Sequence, residues 1–313
     1  MIDVLLATYN GEKHLAELLE SLERQTCVDW QLIVRDDGST DRTLSVIEAW
    51  AKDHPGKVRV LQDGRTRLGP SANFGALLEA SEAPYFMFCD QDDVWLPDKM
   101  MLLLNAVRDA ERQRGAHTPI LAHSDLMVVD ERRRPVSASF WRQQGTHPTS
   151  RHSHRGLILQ NWVTGCALMG NIALRSLALP IPQEAVMHDW WVAMVAAFAG
   201  ELVELNTPTV LYRQHGGNSI GAKGWGALDL LVRFLREPFA SIERTRSVIK
   251  KTQSQAAVFA NRFADTVDAR TIDLCREYGA VGTKRVWERK AFLVRRGLWP
   301  PNRYRAGIVW FFV

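Results

Sequence analysis

Short apolar runs alternate with amphipathic stripes along the first 130 residues, and this alternation constrains the fold more than any other feature. Ile2–Ala7 and Trp30–Arg35 are apolar runs of the length expected for buried strands. Between them, leucines from Leu15 to Leu22 follow the i, i+3, i+4, i+7 spacing of an amphipathic helix. The pattern predicts these further elements: a helix at Asp41–Ala51, a strand at Val58–Gln62, a helix at Asn73–Ala80, a strand at Tyr85–Cys89, a helix at Asp98–Arg112 and an extended segment at Ile120–Asp130. Such alternation predicts a parallel sheet with helices on both faces.

Charge divides the chain into two regions. Residues 1–220 contain 21 Lys/Arg and 27 Asp/Glu, whereas residues 221–313 contain 18 and 8. Residues 131–160 are polar, basic and rich in His, which predicts a long loop. Pro208–Leu211 is a predicted strand, and from Ala227 onward the pattern favours helices. The 313 residues are enough for one large domain or two smaller ones.

Several classes of protein are excluded by missing motifs. The four cysteines lie far apart without a CxxC pair, which argues against zinc fingers and thioredoxin-like redox proteins and favours a reduced, cytoplasmic protein. The sequence has no signal-peptide pattern at its start, and its longest apolar run, Trp190–Gly200, is too short for a bilayer. P-loop, GxSxG and Rossmann GxGxxG motifs are absent, so NTPases, α/β-hydrolases and dinucleotide oxidoreductases are not expected.

Polar clusters follow three of the predicted strands, where ligands bind in open α/β sheets. The clusters are Thr8–Glu12, Asp36–Ser39 and Asp90–Asp93. Three carboxylates within four positions repel one another unless a cation lies among them, and oxygen ligands suit Mg²⁺ or Mn²⁺. The alternative is an acidic turn that caps the helix at Asp98. The Asp36 cluster either forms a turn and helix cap or accepts hydrogen bonds from a nucleobase N–H or a ribose hydroxyl.

Two later segments also carry candidate functional groups. Asp189 opens an apolar helical stretch and is either a helix cap or a general base with a raised pKa. The adjacent Trp190 either stacks on a sugar or belongs to the core. Arg213 and His215 lie in a Gly-rich polar loop and could contact a metal or a diphosphate, although a loop His is usually just exposed.

The chain resembles the family 2 glycosyltransferases with the GT-A fold over about residues 1–220. The matching segments are, in order, ATYNGEKHL, LIVRDDGSTDRT, LGPSANFGALL, YFMFCDQDDVWLPDKM, VTGCALMGN and MHDWW. A narrower resemblance, through TYNGEKHL, DQDDVW, MHDWW and LYRQHGGN, is to bacterial rhamnosyltransferases of cell-surface polysaccharide assembly. It implies a mixed, mostly parallel Rossmann-like sheet flanked by helices, with a helical C-terminal region. The expected domains are a catalytic domain at 1–220, with a nucleotide-sugar half at 1–130 and an acceptor half at 131–220, and a basic region at 221–313.

The resemblance also implies roles for individual residues. The nucleotide would be bound by Thr8, Tyr9, Glu12, Asp36, Arg67 and Asp90. Asp92 and His215 would hold a divalent metal, Mn²⁺ or Mg²⁺, and Asp189 would be the catalytic base. Asp93, Trp190 and Arg213 would lie on the acceptor or diphosphate side. One base without a second carboxylate nucleophile implies a single, inverting displacement.

The implied reaction moves a sugar, L-rhamnose from dTDP-rhamnose, to a glycan or lipid-linked acceptor. Two departures from the family pattern stand out: His188 precedes the base where Glu is common, and the QxxRW motif of processive synthases is missing. Transfer of one sugar or a few is therefore expected. The alternatives are transfer of a hexose or N-acetylhexosamine from a UDP-sugar, and a catalytically silent nucleotide-sugar-binding protein.

The C-terminal region has a composition typical of membrane surfaces. Residues 276–305 contain nine Lys/Arg and two Glu, with tryptophans interleaved. Basic helices with aromatic anchors favour peripheral binding to an anionic membrane on its inner face. The alternative is a solvated helical face packed on the catalytic domain. No nucleic-acid partner is expected, since no DNA- or RNA-binding motif accompanies the charge.

Overall fold

Strands from both halves of residues 1–220 form a single mixed sheet. The structure, a computed structural model, describes residues 1–146, 154–214, 238–300 and 303–313. Within these ranges the strands are β1 (Ile2–Thr8), β2 (Trp30–Asp36), β3 (Val58–Val60), β4 (Tyr85–Asp90), β5 (Val94–Trp95), β6 (Ile120–Val129), β7 (Pro135–Ser137), β8 (Leu168–Asn171) and β9 (Glu201–Arg213). Their order is β3-β2-β1-β4-β8-β6-β9-β5, and β7 pairs with β6.

The sheet is mostly parallel, as the resemblance implied. The strands β1 to β4, β6 and β9 run in one direction, and β5, β7 and β8 run against them. The longest ladders, β1–β2, β1–β4 and β6–β9, are parallel. The direction changes where β8 lies between β4 and β6, so this antiparallel strand joins the two halves of the sheet.

Helices cover both faces of the sheet. They are α1 (Glu12–Glu23), α2 (Thr43–Asp53), α3 (Pro70–Ala80), α4 (Lys99–Arg114), α5 (Phe140–Gln144), α6 (Ile172–Ala178), α7 (His188–Ala199), α8 (Pro238–Arg262), α9 (Ala269–Ala280), α10 (Val286–Arg296) and α11 (Arg303–Phe312). Alternate residues of β1 enter opposite cores: Val4 and Leu6 pack with α1 and α4, whereas Leu5 packs with α3 and α7. The predicted face of α1 is confirmed, since its leucines are buried.

The prediction of a long loop at residues 131–160 was wrong in part. This segment contains β7, α5 and a 3-10 helix at His154–Ile158, while residues 147–153 lie outside the described residues. The Ser139 side chain accepts a hydrogen bond from the Arg142 N–H and caps α5, which ends at Gly145 in the left-handed region. Trp141 is buried between these ends, so the short helix is stabilised by burial rather than by its polar composition.

The strand predicted at Pro208–Leu211 extends much further toward the N-terminus. It is the end of β9, which pairs with β6 from Glu201 and continues to Arg213. The β6–β9 register shifts after Ser124, next to the pairing of Asp125 with Pro208. Irregular pairing of this kind accommodates a proline, which lacks the N–H that a ladder requires.

The helices after residue 238 pack on α7 and complete one of the two cores. Trp191 of α7 contacts Phe259 of α8 edge-to-face, with ring centroids 5.8 Å apart. The backbone N–H of Val186 donates to Gln255 Oε1 of α8 at 2.9 Å. All four cysteines of the chain are buried free thiols. Among the helices of the described ranges, none combines the length and apolar character needed to cross a bilayer.

Candidate active site

The carboxyl ends of β1, β2 and β4 meet at one edge of the sheet. Thr8 Oγ1 donates a hydrogen bond to Asp36 Oδ1 at 2.8 Å. The N–H of Tyr9 donates to Gln91 Oε1 at 2.9 Å, and Gln91 Nε2 donates back to the Tyr9 carbonyl at 2.9 Å. Gly11 lies so close that a Cβ there would be 2.2 Å from Gln91 Oε1. The structure thus brings together the three clusters that the sequence singled out.

The Asp36 carboxylate is surrounded by donors from its own neighbourhood. Oδ1 accepts from Thr8 Oγ1 and from Ser39 Oγ, the latter at 2.5 Å. Oδ2 accepts from the N–H groups of Gly38 and Ser39 at 3.0 and 2.7 Å. Four donors occupy about as many lone-pair positions as a carboxylate offers. The predicted contact with a pyrimidine N–H stays a prediction, and it would require one of these bonds to be exchanged.

Tyr9 and Glu12 lie just before and at the start of α1, on one side of the predicted nucleotide pocket. Glu12 Oε2 accepts hydrogen bonds from Arg42 N–H at 2.8 Å and from Arg42 Nε at 3.4 Å. This carboxylate therefore ties the start of α1 to the start of α2. The side chain of Tyr9 is exposed. Their predicted nucleotide contacts stay predictions.

A buried arginine fixes the loop that carries Arg67. Arg35 Nε and Nη2 donate to the two oxygens of Asp63 at 3.0 Å each, and Nη1 donates to Asp37 at 3.2 Å. Asp37 in turn accepts two backbone N–H groups of the loop before α3, both at 2.9 Å. Arg67 is exposed, with φ of 60°, at the end of this network. These contacts do not test the predicted position of Arg67 near the nucleobase, which stays a prediction.

The acidic turn after β4 crowds several carboxylates into a poorly solvated place. Oxygens of Asp90 and Asp93 and the Sγ of Cys166 all lie within 4.8 Å of one another. Asp93 is buried, and its Oδ2 has no hydrogen-bond partner. Burial, and then the negative charge of Asp92, raises the pKa of Asp90 to about 7 and that of Asp93 well above its ordinary value. A divalent cation would relieve this repulsion, so the residues fit a metal site.

The group differs from the metal ligands expected from the sequence. Asp92 was the predicted ligand, whereas the group of possible ligand atoms found among the described residues belongs to Asp90, Asp93 and Cys166. His215, the second predicted ligand, lies outside the described residues. Carboxylate oxygens suit Mn²⁺ or Mg²⁺ better than a thiol does, which favours the carboxylates of the turn as ligands.

A buried lysine lies beside the acidic turn. Lys99, the first residue of α4, is fully buried, and its Nζ donates to the Cys166 carbonyl at 2.5 Å. The same ammonium lies 3.1 Å from the centroid of the Trp95 ring. Burial lowers the pKa of Lys99 to about 7, against the opposing effect of the nearby Asp90 and Asp93 charges. In its protonated form, the Lys99 ammonium compensates part of the negative charge of the acidic turn.

Asp189 faces the acidic turn from the start of α7. Its Oδ2 accepts the Gly165 N–H at 3.0 Å, and its Oδ1 accepts the Trp190 N–H at 2.6 Å. Burial raises the pKa of Asp189 to about 6. The Asp189 charge is also one of the causes that raise the pKa of Asp90, so the two carboxyl groups are electrostatic neighbours. A carboxylate with a raised pKa is suited to accept a proton near neutral pH.

His188, which stands where family members often carry Glu, lies in an apolar environment. Its ring stacks on Phe74 at 4.1 Å and meets Phe88 edge-to-face at 4.5 Å. Both ring nitrogens lack a hydrogen-bond partner, and burial lowers the pKa of His188 to about 3. The imidazole is therefore neutral, and it adds no charge beside Asp189.

Two predicted acceptor-side residues have structural roles. Trp190 is buried, and its Nε1 donates to the Leu157 carbonyl at 2.5 Å, so the core alternative is the one that the structure favours. The Arg213 guanidinium is buried, donates to the Asp92 carbonyl at 3.0 Å and pairs with Glu17. Arg213 thus stabilises the backbone of the acidic turn through the Asp92 carbonyl. Its predicted diphosphate contact stays a prediction.

Comparison with known proteins identifies the family. The sequence model of Glycosyl transferase family 2 matches residues 3–158. The chain belongs to this family. A dTDP-rhamnosyl transferase, RfbG of Shigella flexneri, is 26% identical over 226 residues, which are 69% of this chain and 74% of that protein. TarS of Staphylococcus aureus, a poly(ribitol-phosphate) beta-N-acetylglucosaminyltransferase, is 35% identical over 128 residues, which are 40% of this chain and 20% of TarS.

Solved glycosyltransferase structures share the fold. Residues 1–349 of S. aureus TarS in complex with UDP superpose with a TM-score of 0.55 at 15% identity, over 93% of this chain and 78% of that chain. A mannosyltransferase from Pyrobaculum calidifontis in complex with GDP-Man and Mn²⁺ gives a TM-score of 0.51 at 16% identity, over 98% of this chain and 86% of that chain. These likenesses establish a GT-A-like fold for this family 2 glycosyltransferase. The chain spans only part of several longer relatives, such as the one-fifth of TarS matched in sequence.

Three contributors to the site of this glycosyltransferase were missed in the sequence. Lys99, Gly165 and Cys166 lie between or beside the predicted groups, and 67 residues separate Lys99 from the carbonyl it contacts. The sequence did contain a signal for Lys99. A positive charge in the first turn of a helix is disfavoured by the helix dipole, so it needs hydrogen-bond acceptors nearby. Gly165 and Cys166 stood within the VTGCALMGN segment, but nothing in their spacing indicated contacts with Asp189 or Asp93.

Proposed function

We propose that this chain is an inverting, metal-dependent glycosyltransferase that moves a sugar from a nucleoside diphosphate to an acceptor hydroxyl in cell-surface polysaccharide synthesis. The observation that carries the proposal is the approach of Asp189 to the acidic turn. Asp189 accepts the Gly165 N–H, and the Sγ of the next residue, Cys166, lies within 4.8 Å of an Asp93 oxygen. A candidate base therefore faces a candidate metal and diphosphate site across one short turn.

The acidic turn supplies the ligands for the metal. Asp92 would hold the ion together with Asp90 or Asp93, whose repulsion and unpartnered oxygen make the site favourable for a cation. When bound, the divalent ion neutralises negative charge on the nucleoside diphosphate leaving group. The Mn²⁺ bound to the Pyrobaculum mannosyltransferase of the same fold supports this assignment.

Asp189 accepts the proton of the acceptor hydroxyl in the proposed reaction. Hydrogen bonds from Gly165 and Trp190 fix both carboxylate oxygens, and burial holds the pKa at about 6. At neutral pH the group is ionised yet basic enough to assist proton removal. As in the sequence prediction, a single base without a covalent intermediate gives inversion at the anomeric carbon.

The donor that we favour is dTDP-L-rhamnose, and the acceptor is a growing glycan, lipid-linked at the cytoplasmic face of the membrane. The match to the Shigella dTDP-rhamnosyl transferase over more than two thirds of this chain supports rhamnose. The second candidate is an N-acetylhexosamine from a UDP-sugar, which the shorter but more identical match to TarS supports. A silent binding protein would have no use for a base at Asp189.

A donor screen tests the proposed function. Thermal shift and release of the nucleoside diphosphate would be measured with dTDP-rhamnose, UDP-glucose, UDP-galactose, UDP-N-acetylglucosamine and GDP-mannose, each with Mn²⁺, Mg²⁺ or EDTA. We expect dTDP-rhamnose to stabilise the protein only with metal. If UDP-N-acetylglucosamine is the one donor that stabilises the protein, the second candidate is established. If no donor gives a response with either metal, the proposed function is refuted.

Matched carboxylate variants separate the roles. Asp92→Asn and Asp93→Asn should weaken metal-dependent donor binding to different extents, and the larger loss identifies the main ligand. Asp189→Asn should bind the donor normally but lose turnover by about 10²–10⁴-fold, the usual contribution of a general base. Asp98→Asn is the control, since this helix-capping position makes no side-chain cap hydrogen bond. Equal effects in all four variants would contradict the assignments.

Exposed apolar side chains near the C-terminus support the predicted contact with an anionic membrane. They are carried by α10, α11 and the segment between them and are referred to together as the patch: Trp287, Val294, Trp299, Trp310 and Phe311. Of these, Trp299 and Trp310 lie with their ring centroids 6.0 Å apart. Trp287 is 65% and Phe311 75% exposed, which is unusual for such large apolar groups. Lys290 Nζ lies 5.2 Å from the Trp310 ring, so positive charge borders the apolar surface. Anionic lipid headgroups and the acyl boundary match this combination.

Vesicle flotation tests the membrane contact. At low salt, the protein should float with vesicles of phosphatidylglycerol and phosphatidylcholine but not with phosphatidylcholine alone. Trp287→Ser combined with Phe311→Ser should abolish flotation without changing donor binding. Val28→Ser, at a 77% exposed residue remote from the patch in sequence, is the control. Failure of the unaltered protein to float would refute this part of the proposal and leave the transferase assignment intact.

A further inference from the structure

One short 3-10 turn, Gly165–Ala167, contacts both halves of the candidate active site. At its first residue, the Gly165 N–H donates to Asp189 Oδ2 at 3.0 Å. At its second residue, the Cys166 Sγ lies within 4.8 Å of an Asp93 carboxylate oxygen, and the Cys166 carbonyl accepts from Lys99 Nζ at 2.5 Å. The separation between the base and the acidic turn is thus set through two adjacent residues.

A side chain at Gly165 would be in tight contact with the residues that begin α7. A Cβ there would lie 3.2 Å from His188 Nε2 and 3.4 Å from Asp189 Oδ2. The backbone of the turn therefore packs directly on the residues that begin α7. Movement of the turn by a fraction of an ångström must be transmitted to Asp189, because no flexible side chain intervenes.

Lys99 anchors the turn from the opposite side. Its side chain is fully buried, and its ammonium is held between the Trp95 ring, the Cys166 carbonyl and the electrostatic field of Asp90 and Asp93. Its backbone is fixed as well, since the Lys99 N–H donates to the Leu96 carbonyl at 3.1 Å. A buried ammonium needs such partners, and this one obtains them from both the acidic turn and the 3-10 turn.

We propose that Lys99 is a positioning residue that acts through the Gly165–Ala167 turn to place Asp189 relative to the acidic turn. The inference rests on the proposed function for its catalytic consequence. The contacts themselves are independent of any donor or acceptor. Lys99 does not touch the substrate in this proposal. It holds the carbonyl of Cys166, and the N–H of the preceding residue, Gly165, orients the base.

The catalytic test is a double-mutant cycle between Lys99 and Asp189. Lys99→Met should lower kcat by about 10²-fold, the loss expected when a reacting group is displaced by about 1 Å, with donor KM changed less than about threefold. Lys99→Gln keeps a donor for the carbonyl and should recover part of kcat. Because Lys99 acts through the base, Lys99→Met combined with Asp189→Asn should be no slower than Asp189→Asn alone.

A matched control separates positioning from general destabilisation. Arg262 of α8 also donates to backbone carbonyls, those of Leu177, Leu179 and Pro180, and lies over the Trp191 ring. Arg262→Met should lower the melting temperature but leave kcat of the folded protein unchanged. An equal loss of kcat in Arg262→Met, or multiplicative losses in the Lys99–Asp189 double variant, would overturn the proposal.

A measurement without substrate keeps the inference separate from the proposed function. Hydrogen–deuterium exchange of the peptide that contains Gly165 should speed up in Lys99→Met, less in Lys99→Gln, which keeps a donor for the carbonyl, and not in Arg262→Met. If no donor supports turnover, this result still establishes the anchoring contact, and the transferase assignment alone fails. Unchanged exchange in both Lys99 variants would refute the anchoring role, whatever the activity.

Discussion

Asp189→Asn should gain stability relative to the unaltered protein as the pH rises, while it removes turnover. The carboxyl group is buried at the start of α7, and burial raises its pKa from 3.8 to about 6. Burial therefore favours the neutral form, yet the group is ionised at the pH where a base must work. The asparagine side chain has nearly the same shape and carries no charge, so it avoids this penalty.

The magnitude follows from the difference between the two pKa values. A difference of about 2.2, at 1.36 kcal/mol for each pKa unit, gives about 3 kcal/mol for keeping Asp189 ionised in the folded state. Because the folded value is the higher one, the stabilising effect of the protonated group is complete below pH 3.8 and is lost as the pH rises through about 6. Between about pH 5 and pH 8, the linkage relation predicts that the contribution of Asp189 to the free energy of unfolding falls by about 1.5 kcal/mol.

Urea unfolding of both proteins at several pH values, without metal or donor, measures this effect. The free energy of unfolding of Asp189→Asn minus that of the unaltered protein should grow by about 1.5 kcal/mol from pH 5 to pH 8. Asparagine can accept from only one of the two N–H donors, Gly165 or Trp190, so the difference carries a constant offset. A difference that does not change with pH, or that shrinks as the pH rises, would refute the reasoning.

Three further predictions concern the pH profile, the β1 edge and the buried arginine. The rate of sugar transfer should fall about tenfold for each pH unit below about 6, as measured by nucleotide release, because the base must be ionised. Gly11→Ala should cost about 1–3 kcal/mol in urea unfolding and weaken donor binding in calorimetry, since its Cβ would displace the Gln91 amide from its two hydrogen bonds with Tyr9. In contrast, Gly75→Ala, within α3, would meet Ile181 at an ordinary contact distance of 3.6 Å and should be neutral or stabilising. Arg35→Met should cost about 3–5 kcal/mol in the same assay, whereas Arg65→Met, at an exposed partner of the same carboxylate, should cost less than about 1 kcal/mol.

Local pattern was sufficient for most of the nucleotide-side fold. Between Ile2 and Arg114, the predicted strands and helices are present, because most of them bury apolar residues at regular spacing; β3 is only partly buried. Pattern failed at α5, where a polar segment folds around the single buried Trp141. The predicted strand at the end of β9 was also too short. A proline inside a strand argues against the strand unless the pairing with the partner strand shifts register there, as it does at Pro208.

The site was predictable only where chemistry followed directly after a strand. Asp90, Asp92 and Asp93 were found because four consecutive polar positions, three of them Asp, interrupt an apolar run. Arg213 and Trp190 have the residue types of ligand-binding groups, but burial assigns their polar atoms to protein carbonyls. Sequence spacing cannot show such partners, because these contacts join elements from distant parts of the chain.

The buried thiols make this protein its own reporter of structural opening. Cys89 and Cys166 lie beside the acidic turn, Cys275 lies in α9, and Cys27 lies between α1 and β2. A thiol reagent can reach each of them only when its surroundings open. Labelling of Cys166 before Cys275 would show that the candidate active site opens independently of the C-terminal helices. Simultaneous labelling of all four would show that the sheet and the helices packed on it open as one cooperative unit.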